Sequence, residues 1–342
     1  MSQERPIRVG IIGAGNIARS HADGYVRAGA AAEVTAVADV DHARAEAIAD
    51  RAGGGARIFE DYREMLAAGL VDAVDICLPH HLHADAIVAA ADAGRHILCE
   101  KPLCLTMDEA KRIRDAVTAS GITLMCSHNQ LYMPPVAAAR QAIEDGLVGR
   151  VYEARTTDSF YNDFDPSSMG WRGSRATSGG GELIDTGYHP TYLLLNLVGR
   201  TPVEVTAMLG RHRLTFIEGE DSATVLVRFD DGSIGTIVTS WAYQPAGSTE
   251  RFSVVGEAGS LWSDGKTLFH RRRGGDTVHL VDPGEEVPTI QLAVVDFIRC
   301  LREGSRPINT EVEGIAVLKV ILGAYASADE GRIVSLADRF GD

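Results

Sequence analysis

Hydrophobic positions in the first 125 or so residues form short continuous runs separated by longer amphipathic stretches. The runs at 7–12, 34–39, 74–78, 96–99 and 123–126 predict strands. The stretches at 17–29, 43–52, 62–68, 84–93 and 107–120 predict helices. A strand covered on both faces shows no polar alternation, so apolar strands spaced by helices predict a parallel, doubly wound sheet. Thr106, followed by Glu109, forms a capping box for the helix at 107–120.

The rhythm changes near Arg150. Segments 151–157, 203–209, 223–229, 233–241, 251–256, 261–263 and 278–281 read as strands joined by turns such as Asp230-Asp231-Gly232. Strands that follow one another without helices predict a largely antiparallel sheet. Helices are expected at 184–197, 290–301 and 312–328, and 163–177, rich in Ser, Gly and charge, reads as a mobile loop over a site. The expected fold is α/β: a parallel sheet domain in residues 1–128, then an α+β domain with a largely antiparallel sheet in 129–342. The last helix is expected to pack back on the first domain.

Composition narrows the partners. A net charge of −14 argues against nucleic acid or an anionic membrane surface, both of which repel an acidic protein. No run of eighteen apolar residues predicts a membrane span, and the first six residues lack the apolar stretch of a secretory signal. Five cysteines, an odd number without close metal-like pairing, fit a reduced cytoplasmic location.

The first candidate chemistry lies after the first strand. Gly13-Ala14-Gly15-Asn16-Ile17-Ala18 has the form of a Rossmann dinucleotide turn with Ala in its third position. Gly13 permits the tight turn, Gly15 lets a pyrophosphate approach the backbone, and the helix N-terminus stabilises its charge. Asp39, about twenty residues beyond Ala18, stands where a ribose-binding acid belongs. A carboxylate there repels a 2′-phosphate, so NAD is favoured over NADP, although Arg44 and His42 are close cations.

Two further motifs complete the pattern. Glu100-Lys101-Pro102 closes an apolar run, and Gly179-Gly180-Gly181 opens a segment carrying Asp185, Gly187, Tyr188 and His189. With the glycine turn and Cys77-Leu78-Pro79-His80-His81-Leu82-His83, they make the chain resemble the Gfo/Idh/MocA oxidoreductase family over nearly its whole length. The resemblance implies NAD(P) between a Rossmann domain and an open-faced sheet, and a sugar or polyol substrate. It assigns catalysis to Lys101, Asp185 and His189. Cofactor contacts are expected at Gly13, Gly15, Asn16, Ile17, Asp39, Pro79, His80, His83, Glu100, Lys101 and Arg172. Substrate contacts are expected at Lys101, Asn129, Tyr132, Asp185, Tyr188, His189 and Tyr192. The chain departs from the family at Leu131, often an arginine there, and at Tyr192, often an acid.

The expected reaction oxidises a secondary alcohol. Asp185 and His189, four apart on a predicted helix, project from one face, and Tyr192 can join them. An imidazole titrates near neutrality, which suits His189 as general base. Lys101 would stabilise the developing alkoxide, and Asp185 would orient substrate hydroxyls.

Each reading has a plainer rival. Lys101 could be a solvated charge, Asp185 and His189 a helix-surface hydrogen bond, and Trp171-Arg172 surface packing rather than a clamp. The three glycines could be a flexible approach or give backbone room beside the nicotinamide. His80, His81 and His83 suggest a metal, but without a further ligand nearby they are expected to line the cofactor cleft, His83 bracing the next helix. Two rival functions remain open: a redox-neutral enzyme using retained NAD for elimination or glycoside cleavage, and a non-catalytic sensor. A homodimer or homotetramer through the open sheet face is expected.

Overall fold

In a computed structural model, which describes residues 5–243 and 250–341, strands and helices alternate through the first third of the chain. The order is β1 (Ile7–Ile12), α1 (Asn16–Ala28), β2 (Ala32–Ala38), α2 (His42–Arg51), β3 (Arg57–Phe59), α3 (Tyr62–Ala67) and β4 (Ala73–Ile76). Then come α4 (His83–Asp92), β5 (His96–Cys99), α5 (Met107–Ser120), β6 (Leu124–Cys126) and α6 (Pro134–Glu144). Strand β7 (Val151–Ser159) leads into α7 (Arg175–Ser178), α8 (Glu182–Asp185) and α9 (Tyr188–Val198). Seven strands follow: β8 (Pro202–Gly210), β9 (Ser222–Phe229), β10 (Ile234–Ser240), β11 (Phe252–Gly256), β12 (Gly259–Ser263), β13 (Leu268–Arg272) and β14 (Thr277–Val281). The chain closes with α10 (Thr289–Glu303), α11 (Glu311–Glu330), β15 (Val334–Ser335) and α12 (Leu336–Phe340).

Two compact units result, one of Met1–Asn129 with Pro288–Ile315, the other of Gln130–Val287 with Ala316–Asp342. The first contains a six-stranded parallel sheet in the order β3-β2-β1-β4-β5-β6. The strand order reverses between β1 and β4, which marks the ligand-binding crevice at the carboxyl ends of a doubly wound sheet. Val9, Ile11, Val74, Ile76, Ile97 and Leu98 are fully buried, as continuous apolar runs require. Helix α10 lies against α1 so closely that a Cβ on Gly24 would meet Val294 Cβ at 2.7 Å. The predicted capping box is present: Thr106 Oγ1 accepts from Glu109 N, and Glu109 accepts from Thr106 N.

The second unit is built on a nine-stranded sheet ordered β14-β13-β12-β11-β7-β10-β9-β8-β15. All its pairings are antiparallel except β10 with β7. Helix α9 covers β7 and β10, and α6 packs on α9, β13 and β14. On β9, Val225, Val227 and Phe229 point into the core, while Thr224, Leu226 and Arg228 point outward. The outward face carries apolar residues: Leu226 on β9, Met208 on β8, Ile234 on β10 and Val255 on β11.

Several elements depart from the expected pattern. Strands β3, β13 and β15 and helix α6 lie in segments with no predicted element. The continuous helix expected over 184–197 is broken into α8 and α9 at Thr186-Gly187. Gly187 N bonds Glu182 O, five residues back, and His189 N bonds Thr186 O, three back, so the helical ladder is interrupted. Residues 163–177 are not one open loop, for Gly170–Gly173 forms a 3-10 turn and α7 follows it.

Candidate active site

The glycine turn follows β1 at the carboxyl edge of the parallel sheet. Gly13 has φ of +93°, and a Cβ there would meet Cys77 O at 2.7 Å, so only glycine fits. A Cβ on Gly15 would meet nothing within 4 Å, which leaves space above the backbone where α1 begins. No side chain caps α1, and no acid stands in its first turn. An uncapped 13-residue helix behind an open glycine fits a pyrophosphate. Asn16 is exposed and Ile17 half-buried at this N-terminus.

Asp39 directly follows β2, beside the turn. Its Oδ2 accepts from Ala14 N at 2.6 Å and its Oδ1 from Asp41 N at 2.8 Å. A carboxylate offers about four acceptor positions, so capacity remains for ribose hydroxyls. The two cations near it have partners, Arg44 on Asp41 at 3.1 Å and His42 on Glu46 at 3.4 Å.

Lys101 is half-buried directly after β5, on the same edge of the sheet. Glu100 is buried, and its main-chain N–H donates to Ile76 O at 3.0 Å. Burial would raise the Glu100 carboxyl, but the bond and charge of His21 outweigh it and hold it below its ordinary value. His83 is fully buried, with Nδ1 2.7 Å from Pro102 O and Nε2 2.8 Å from Leu78 O. It thus braces two loops of this edge. Pro79 is half-buried, and the buried His80 ring stands edge-on to His83 at 6.1 Å. Asn129, after β6, donates through Nδ2 to Thr289 Oγ1 at 2.9 Å. His21 and Asp75 join this group without belonging to any motif. Their one trace in the sequence is an acid inside the apolar run Val74-Asp75-Ile76.

In the second unit the glycine-rich segment is packed, not flexible. A Cβ on Gly180 would fall 2.2 Å from the Tyr325 hydroxyl, and one on Gly181 would fall 1.9 Å from Glu220 O. The room these glycines leave is filled by Tyr325 and Glu220, which corrects the expectation of room beside the nicotinamide. Glu182 is buried and bonds Thr239 Oγ1. Burial pushes its carboxyl well above the ordinary range, and Glu220, Asp158 and Asp185 add to the rise.

Asp185 is buried and forms an ion pair with Arg172, Nε to Oδ2 at 2.6 Å. The guanidinium also lies over the Trp171 ring, 4.3 Å from its centre. Trp241 Nε1 donates to Thr186 Oγ1 at 2.8 Å, which fixes the break between α8 and α9. His189 is half-buried at the start of α9, with Nδ1 2.8 Å from the Tyr192 hydroxyl. That hydroxyl accepts from Gln130 N at 3.0 Å, and Gln130 Nε2 donates to Asp158, itself paired with Arg251. Tyr192 is therefore buried among protein groups, and Tyr188 is fully buried beside it, ring centres 6.3 Å apart. Tyr132 is half-buried in the 3-10 turn Asn129–Tyr132.

Known proteins share this architecture. Residues 7–128 match the model described as the oxidoreductase family with an NAD-binding Rossmann fold, and residues 136–262 match the corresponding GFO/IDH/MocA C-terminal domain. Levoglucosan dehydrogenase from Pseudarthrobacter phenanthrenivorans is 30% identical over 286 residues, covering 75% of this chain and 73% of that protein. D-apiose dehydrogenase from Paraburkholderia graminis is 30% identical over 342 residues, covering 95% of this chain and 88% of that protein. A solved structure of levoglucosan dehydrogenase with NADH and levoglucosan superposes with a TM-score of 0.87 at 26% identity, covering 97% of this chain and all (100%) of that one. Among the described residues no helix is long and apolar enough to cross a membrane. The chain belongs to the Gfo/Idh/MocA oxidoreductases, and its first unit is their NAD-binding Rossmann domain.

Proposed function

We propose that the protein is an NAD-dependent dehydrogenase that oxidises a secondary hydroxyl of a sugar, polyol or sugar derivative. The observation that carries this reading is the shared edge of the parallel sheet. A glycine turn fit for pyrophosphate follows β1, and Lys101 follows β5 at the same carboxyl ends. Asp39 retains acceptors for a ribose diol, and the cations near it are engaged by Asp41 and Glu46, which supports NAD over NADP.

In this reading the dinucleotide lies over Gly13, Gly15, Asn16 and Ile17, with Asp39 at its ribose. Pro79, His80, His83 and Glu100 shape the neighbouring wall. Bound NAD supplies the acceptor for hydride leaving the carbinol carbon. His189 takes the hydroxyl proton. Its Nδ1 lies 2.8 Å from the Tyr192 hydroxyl, a contact that orients the ring. The Lys101 ammonium hydrogen-bonds the same oxygen and stabilises the charge that develops there. Asp185, charge-balanced by Arg172, orients neighbouring hydroxyls. Asn129 and Tyr132 complete the substrate set, and Tyr188 and Tyr192, expected to touch substrate but buried, support His189 from within the core.

The relatives' substrates, levoglucosan and D-apiose, are both rich in secondary or branched hydroxyls and guide the choice of probe. A second copy of the chain covers the outward sheet face in this reading, supported by Met208, Leu226, Ile234 and Val255 exposed on it. Five buried cysteines outside any disulfide accord with a reducing, cytoplasmic setting. The test is NADH formation with levoglucosan, D-apiose, inositols and simple glucosides. A dehydrogenase releases one NADH per product formed. Product without net NADH would replace this reading with a redox-neutral one.

A further inference from the structure

Helix α1 carries two polar side chains one turn apart on its buried face, His21 and Tyr25. His21 Nδ1 lies 2.8 Å from Asp75 Oδ2, and Nε2 lies 3.0 Å from Glu100 Oε1. Tyr25 donates to the same Asp75 oxygen at 2.9 Å, and the Cys77 thiol approaches the other at 3.6 Å. A neutral imidazole has one N–H, so it can donate to only one of two flanking carboxylates. The imidazolium satisfies both. Burial disfavours that cation, but the charge and hydrogen bond of Asp75 override it and raise His21 well above its ordinary value.

His21, Asp75 and Cys77 stand close enough together to ligate a cation. Both imidazole nitrogens already face carboxylates, and burial, with Asp75 adding to it, pushes the Cys77 thiol up to about 12. The ions are His21, Asp75 and Glu100, a buried triad beside which Cys77 stands as a neutral thiol.

We propose that His21 is a positioning residue for Lys101: it bridges Asp75 to Glu100, and Glu100 passes the restraint on. Glu100 Oε2 receives the main-chain N–H of Lys101 at 3.3 Å, so the carboxylate that His21 fixes also fixes where Lys101 leaves the sheet. His83 grips the next residue, with Nδ1 on Pro102 O. Segment 100–102 is thus held by one buried imidazole through a side chain and by another through the main chain. This role rests on the reading of Lys101 as the group that stabilises the alkoxide.

Coupling distinguishes positioning from general stability. His21→Gln is expected to lower kcat about 10- to 100-fold, the scale of a misplaced catalytic group, with NAD affinity unchanged. Levoglucosan, or whichever probe of the panel gives NADH, serves as substrate. In the Lys101→Ala background the same change is expected to cost less than about twofold, because the group it positions is gone. A second readout needs no turnover. The chain has four lysines, Lys101, Lys111, Lys266 and Lys319, so the reductively methylated Lys101 signal can be followed by NMR. Without the imidazolium, Glu100 loses the bond that fixes its side chain, so the Lys101 signal shifts and broadens relative to the wild type. Losses that multiply in full, or a Lys101 signal unchanged in position and width, overturn the proposal while leaving the dehydrogenase reading intact. Unchanged turnover in Lys101→Ala alone rejects the catalytic reading and the proposal with it. Should His21→Gln not fold, Asp75→Asn loosens the same imidazole without touching Glu100 or Lys101, and the same non-additivity is expected.

Discussion

At the scale of single residues, hydrogen-bond partners decide what each group can do. His189 has one nitrogen committed to the Tyr192 hydroxyl. A hydroxyl orients the ring without adding a negative charge beside it. Tyr192→Phe keeps the aromatic packing on Tyr188 but removes the hydroxyl that bonds the His189 ring and accepts from Gln130 N. We expect kcat to fall about tenfold and stability by about 1–2 kcal/mol, with NAD affinity unchanged. Unaltered kcat in a folded variant would show that the hydroxyl does not orient the base.

Glu182 behaves differently because its carboxyl is raised above its ordinary value of 4.5 by burial and by the acids around it. In the unfolded chain it ionises near that ordinary value, while the folded protein keeps the proton to higher pH. Its contribution to stability is therefore full below about 4.5 and is lost as pH rises through the folded value. Glu182→Gln imitates the protonated form. Urea unfolding should show the variant gaining on the wild type as pH rises, and a constant difference across pH would contradict the assignment.

At the scale of elements, legibility followed length and periodicity. The glycine turn, the Lys101 loop and the Asp185–His189 segment were all visible as motifs, and the long helices and central strands as apolar patterns. Strand β3 was not, because Arg57–Phe59 is three residues beside the run Gly53-Gly54-Gly55. Helix α6 opens on Pro134-Pro135, a pair that reads as a breaker but sits where the first helical N–H groups need no partner. The break between α8 and α9 hides inside an unbroken apolar period. It arises from close packing, for a Cβ on Gly187 would stand 2.6 Å from Leu183 O. Asp185 and His189 therefore occupy two short elements rather than one helix face. The His21–Asp75–Glu100 triad was not legible, because pairing of three separate segments creates it. Gly181→Ala tests the packing of this region: with 1.9 Å between the new Cβ and Glu220 O, backbone must move. A loss of about 2–3 kcal/mol in urea unfolding is expected, and a neutral substitution would mean the segment is loose.

At the scale of the whole molecule, the two units supply different chemistry. The parallel sheet offers a dinucleotide edge and a cation, and the mixed sheet offers an imidazole and a paired carboxylate on one side with an apolar outward face on the other. That face predicts self-association. Leu226, outward on β9, is exposed in a single chain, and Leu226→Lys should lower the assembly state seen by light scattering while leaving the fold intact. An unchanged oligomer would place the contact elsewhere.

The most direct measurement is the rate of NADH formation by the wild type, Lys101→Ala and His189→Ala under one set of conditions, with NAD affinity determined for each. Turnover should fall in each variant by at least about 100-fold, the size of a lost general base or electrostatic group, while NAD binds as before. Turnover that survives both substitutions would contradict the assignment of these two residues to the reacting hydroxyl.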